Sequence, residues 1–286
     1  MKRARYQISI NGFDVKNQSW DHALQVDGKD DEVFIGWNSK KMRSDGTLIY
    51  EAATRKSATI GDVNGQSGRV VGGSASSKGG LRDGDRYPHD KPWMKKRVFD
   101  LPAIPPFIWS PTRIEISPEV PSGRDYPPMN CFTDTITEGE VVYFTPSIWE
   151  FDLGQSAWEG MLAWLRDTDD KFGARAKEIF TKVFPPNNWI FDAVSLGIQT
   201  ASTLTSITGS SGSRPIGTVR SATNPATFVF NPWILELTFE RAEALIAAEP
   251  AGVGHGVLAI PYTDDISLRG SYQLYLQVER LGPVEG

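Results

Sequence analysis

The chain has 286 residues with a formal net charge of −5; 40% are hydrophobic, 11% aromatic and 23% charged. Its nine Trp and fourteen Phe carry far too much apolar surface for a solvated coil, and its single Cys excludes both a disulfide framework and a cysteine-rich zinc site. The mild charge argues against a general nucleic-acid binder.

The N-terminal MKRARYQISI runs into alternating residues rather than an apolar h-region, so no signal peptide is expected, and no run of about eighteen uninterrupted apolar residues marks a spanning helix. These features predict a cytoplasmic globular protein. Arg5 to Ile10 alternates as a strand with one buried face, and Asn11-Gly12 reads as a turn closing it. Glu32 to Trp37 is a second strand, preceded by the acidic run Asp27-Gly28-Lys29-Asp30-Asp31. From about Lys40 to Pro92 the chain is poor in apolar periodicity, and its stretch VNGQSGRVVGGSASSKGGLRDGDRYP (63–88) reads as a long loop or a pair of loose hairpins. Arg97 to Ile116 has strand-like pieces broken by prolines, which suit sheet edges.

Glu140 to Phe151 gives the strongest strand signal in the molecule. The period then changes. Trp158, Met161, Leu162, Leu165, Phe172, Ala176, Ile179, Phe180 and Val183 recur at three- and four-residue spacing, which predicts one amphipathic helix, or two short ones hinged at Asp169-Asp170. Trp189 to Ile207 reads as a further helix and GSSGS at 209–213 as a break. Strand character returns at Thr227–Phe230, Ile234–Phe239, Leu258–Tyr262 and Ser271–Leu281, with a short helix at Glu240–Ala248. The pattern predicts a mainly β fold, an antiparallel β-sandwich formed by 1–153 and 209–286, with an inserted α-helical subdomain at 154–208.

The acids fall at strand ends. Asp27, Asp30, Asp31 and Glu32 feed one strand, while Glu150 and Asp152 leave another and, two apart in an extended chain, point to one face. If the two loops share a pole of the sandwich, their carboxylates need protons or a cation, and Ca²⁺ suits flexible oxygen-rich loops. The plainer reading is that acids beside Gly form turns and that Glu150 or Asp152 caps the next helix.

The runs YQISINGFDVKN…QVDGKDDEVFI and VVYFTPSIWEFD, followed by Ser213-Arg214-Pro215-Ile216-Gly217, resemble in order the first calcium loop, the later Val-x-Asp-x-Asp strand and the Asp-Asp-x-Ile-Gly segment of C2 domains. The resemblance implies an eight-stranded sandwich that binds Ca²⁺ and docks on anionic phospholipid. By position, Asp27 (or Asp21) and Asp31 would be loop-one ligands, and Glu150 and Asp152 loop-three ligands. The chain departs from the family pattern. No Pro follows Asp31, Glu150 and Ser213 stand where the family has Asp, and 61 positions separate Asp152 from Ser213.

Lys78 to Arg97 holds seven basic residues around Trp93, a solvated loop or a surface for anionic headgroups. His22, His89 and His255 are scattered, and no G-x-S-x-G elbow or phosphate-binding glycine loop is present. The expectation is a non-catalytic binding or assembly module, calcium-dependent, docking peripherally on an anionic lipid headgroup or a protein partner and not on nucleic acid. The alternatives are a metal-free structural protein that self-associates into a homo-oligomer, and a carbohydrate hydrolase using loop carboxylates.

Overall fold

The computed structural model describes residues 1–19, 30–61, 67–77, 79–89, 97–101, 112–116, 123–151, 158–182, 187, 189–192 and 213–286. In chain order the strands are β1 (Arg3–Asn17), β2 (Val33–Arg43), β3 (Leu48–Glu51), β4 (Arg55–Lys56), β5 (Thr59–Ile60), β6 (Arg69–Val70), β7 (Arg86–Tyr87), β8 (Arg97–Leu101), β9 (Thr112–Ile116), β10 (Met129–Thr137) and β11 (Glu140–Glu150). Helices α1 (Trp158–Arg166) and α2 (Asp169–Thr181) follow. The chain then continues through β12 (Ile190–Asp192), β13 (Arg214–Pro215), β14 (Thr218–Arg220), β15 (Phe228–Phe230), β16 (Trp233–Thr238), α3 (Phe239–Ala247), β17 (Val257–Thr263) and β18 (Ser271–Arg280).

The fold is mainly β. One sheet runs β10-β1-β18-β17, with β7 also on β1; the other runs β12-β16-β11-β2-β5-β6, with β13 on β11 and β3 and β4 on β2. All ladders in the two sheets are antiparallel except β5–β6, which is parallel. Their apolar faces share one core, in which Tyr6, Ile8, Ile10, Phe13, Leu274 and Leu276 of the first sheet join Ile35, Phe144 and Ile148 of the second. The tyrosine hydroxyl of Tyr262 (β17) donates to the Pro146 carbonyl of β11 at 2.9 Å across this core.

The second sheet is covered on its other face as well. Phe34, Gly36 and Lys40 of β2 alternate with the inward residues, as do Tyr143, Ser147 and Trp149 of β11, and α1 and α2 lie over them. Trp158 meets Trp149 edge-on at 5.1 Å between ring centroids and Phe34 at 5.7 Å, while Phe172 packs on Tyr143 at 4.8 Å. Gly36 makes this contact possible, because a Cβ there would stand 2.4 Å from the Trp158 ring. Burial on both faces explains why β2 continues six residues past Trp37 through Asn38-Ser39-Lys40-Lys41. The Lys40 ammonium donates to the Leu165 carbonyl at 2.6 Å and pairs with Asp169 and, at 3.3 Å, with Glu51. Lys41 crosses to the outer edge of β10, donating to the Thr135 carbonyl at 2.6 Å, and the Trp37 indole donates to the Cys131 carbonyl at 3.2 Å.

Four expectations are corrected. Asn11-Gly12 is not a turn: β1 runs straight through it, with its register to β18 shifting between Ile10 and Gly12. Glycine is required there by close approach, since a Cβ would sit 2.3 Å from the Tyr87 carbonyl oxygen of β7. The stretch from Lys40 to Pro92, poor in apolar periodicity, holds the rest of β2 and five short strands, β3 to β7; within 63–88, β6 pairs with β5 and β7 with β1 rather than with each other as a hairpin. Ile190–Asp192 is a strand on β16 rather than the start of a helix, while residues 193–207 lie outside the described residues. The expected break between two helices falls at residues 167–168, one position before Asp169-Asp170.

Candidate functional site

Where β2 begins and β11 ends, acids from distant parts of the chain meet. Antiparallel pairing sets Glu150 opposite Val33, with Asp31 two residues before β2, and β13 sets Arg214 opposite Glu150. The loop after β17 brings Asp264 to the same guanidinium. Arg214 holds Glu150 at 2.9 Å and Asp264 at 2.8 Å, and all three side chains are buried. Asp264 also accepts from the backbone N–H groups of Gly217 and Thr218 at 2.8 and 2.9 Å.

Asp31 has hydroxyls around it instead of a cation. The buried Tyr272 of β18 donates to its Oδ2 at 2.5 Å, as does the Ser19 N–H at 2.7 Å. The Ser19 hydroxyl lies 2.9 Å from Asp31 Oδ1 and also contacts Glu150 Oε1 closely. A hydroxyl carries one proton and two acceptor sites. With carboxyl oxygens on both sides of Ser19, one carboxyl must supply the second proton. Electrostatics assigns that proton to Asp31: burial, then the neighbouring Glu150 charge, push its pKa up to about 8. Tyr272 is raised well above the ordinary tyrosine value by burial and by the same Asp31, so it remains a donor. Burial works against the Arg214 charge, but Glu150 and Asp264 outweigh it and raise its pKa. Asp264 is raised by burial despite Arg214. The pole therefore holds Arg214⁺ between the carboxyl groups of Glu150 and Asp264, with a protonated Asp31 hydrogen-bonded beside them.

Of the four expected ligands, Asp31 and Glu150 are brought together here, joined through Ser19. Asp27 and Asp152 lie outside the described residues, as does Asp21. Among the described residues, no group of three or more His, Cys, Asp or Glu side chains is arranged to hold a metal ion. Sequence reasoning missed Ser19, Arg214, Asp264 and Tyr272 as members of the site, Arg214 being quoted only as part of the Ser213–Gly217 segment. Asp264-Asp265 carried a usable signal, because it follows strand β17 just as Asp152 follows β11. Ser19 and Tyr272 carried none.

From the basic stretch 78–97, Arg86 pairs at 3.9 Å with Asp14, while Lys78 and residues 90–96, Trp93 included, lie outside the described residues. Among the described residues, no helix is long and apolar enough to cross a membrane. No family model, curated protein or solved structure matches the chain.

Proposed function

We propose that the chain is a non-catalytic binding or assembly module, a sandwich whose Ser19–Asp31–Glu150–Arg214 pole anchors the segments that carry its contacts. One observation supports this reading above the others: a single guanidinium, Arg214, joins Glu150 at the end of β11 to Asp264 after β17. Side chains already committed to one another in this way suit a scaffold better than a hydrolase, whose two carboxyl groups must face a substrate across a cleft. Arg214 also supplies an internal counter-charge where the C2 likeness would have calcium. The metal-free version of the module is therefore the preferred one.

The calcium-dependent version is the second reading. It is favoured by the meeting of Asp31 and Glu150 at one hydroxyl and by the nearness in sequence of Asp27 to Asp31 and of Asp152 to Glu150. In that version a divalent cation replaces the Asp31 proton and orders a surface for an anionic headgroup.

Thermal melting with added Ca²⁺ separates the two, because a ligand that binds only the folded chain raises the midpoint by mass action. The metal-free module predicts an unchanged midpoint at millimolar Ca²⁺. A midpoint that rises, with the rise lost in Asp31→Asn, transfers the assignment to calcium. Light scattering of the purified chain and cosedimentation with phosphatidylserine vesicles then tell self-association from lipid docking. A chain that stays monomeric and ignores vesicles would count against both modes.

A further inference from the structure

We propose that the cleft between β10 and the β3–β4 segment, on the side of Trp37, binds a small aromatic monocarboxylate through Arg55. The cleft has a volume of about 480 Å³, within the range of small-molecule sites. Trp37, Phe132 and Tyr50 give it aromatic walls, and Ala52 and Ala53 leave the space open. The Trp37 ring is held in place by its indole bond to the Cys131 carbonyl. Aromatic surfaces of this kind favour a ring stacked or set edge-on against them.

The charges select the ligand's polar end. Arg55 stands directly opposite Trp37 in the β2–β4 ladder, so both side chains leave the same face of the sheet. Arg55 is exposed and meets no carboxylate among the described residues. The acid that lines the same cleft, Asp134, is engaged by Lys41 at 3.2 Å and by the Tyr50 hydroxyl. Burial, with Asp134 beside it, raises the Tyr50 pKa and keeps that hydroxyl protonated. The cleft thus offers a carboxylate one guanidinium fork, whose two parallel N–H groups match its two oxygens. One fork pairs with one carboxylate, which suits a monoanion. The site is separate from the Arg214 pole and does not depend on the function proposed for it.

The test uses hydrocinnamate as probe and its neutral amide as control, with calorimetry on the intact chain. A second readout is alkylation of Cys131 by iodoacetamide, since the only cysteine in the sequence lines this cleft. Hydrocinnamate should bind at least about tenfold more tightly than the amide. Its binding should weaken with salt and should slow Cys131 alkylation. Arg55→Gln, at an exposed position, should abolish the preference for the acid without moving the melting midpoint, and Ala52→Leu should exclude both compounds. Failure of hydrocinnamate to bind at millimolar concentration, equal binding of acid and amide, or indifference to Arg55→Gln would each overturn the proposal.

Discussion

Arg214 is buried between Glu150 and Asp264, so its removal strands two carboxylates away from water. Breaking such a group by deleting the cation costs far more than the group contributes intact. Arg214→Met is expected to lower stability by about 3–5 kcal/mol in urea unfolding. Adding Glu150→Gln and Asp264→Asn should recover most of that loss. Asp31 makes the opposite kind of contribution. The folded chain keeps its proton up to about pH 8, whereas an unperturbed Asp releases it near 3.8. Between these values the folded state binds more protons than the unfolded one, so rising pH favours unfolding. The stabilisation linked to this proton is complete below about pH 4 and is lost as pH climbs through 8. Asp31→Asn keeps the shape and removes the titration; the difference in melting midpoint between variant and parent should therefore grow in the variant's favour from pH 5 to pH 8. A constant difference would place the proton elsewhere. Asp31 and Glu150 were legible as a pair because both acids sit at strand ends. Their partners were not, because Ser19 and Tyr272 look in sequence like an ordinary turn residue and an ordinary strand tyrosine.

Strands β2 and β11 are buried on both faces, and that is why half of β2 could not be read from its sequence. Period-two patterning identifies a strand only when one face is wet. Here Lys40 and Lys41 point to opposite covered faces and each finds carboxylates: Asp169 and Glu51 for the first, Asp134 and Glu140 for the second. Strand β11 was legible because its sequence is almost continuously apolar, and α1 and α2 because their apolar positions follow the helical period. The short strands β3 to β7 were not, since two- and four-residue pieces carry too few side chains to show a period. A close contact between layers is that of Gly36 with Trp158. Gly36→Ala is expected to cost about 1–3 kcal/mol by overpacking. In a double-mutant cycle with Trp158→Ala the two losses should be markedly less than additive, because the second change removes the clash created by the first. Additive losses would show that α1 does not pack on β2 at this point.

At the scale of the whole molecule, the first sheet is closed by the two ends of the sequence. Strand β1 lies between β10 and β18, and Arg3 and Glu285 exchange backbone hydrogen bonds at 2.9 Å in both directions. Deleting residues 271–286 removes the strand between β1 and β17 and exposes both, so the truncated chain should lose its near-ultraviolet circular dichroism and its cooperative urea transition. Pairing across so long a separation also predicts slow folding, because loop closure precedes the contacts that reward it. The sheet's other border, β10, has a further consequence. A strand with an open edge is a template on which another chain can lay itself down. Along β10, the carbonyls of Cys131 and Thr135 are occupied by the indole of Trp37 and the ammonium of Lys41. An incoming strand would find these acceptors taken, with the paired Lys41 ammonium beside them. Lys41→Met, which frees the Thr135 carbonyl, is therefore expected to aggregate sooner on mild heating than a variant of matched stability altered elsewhere.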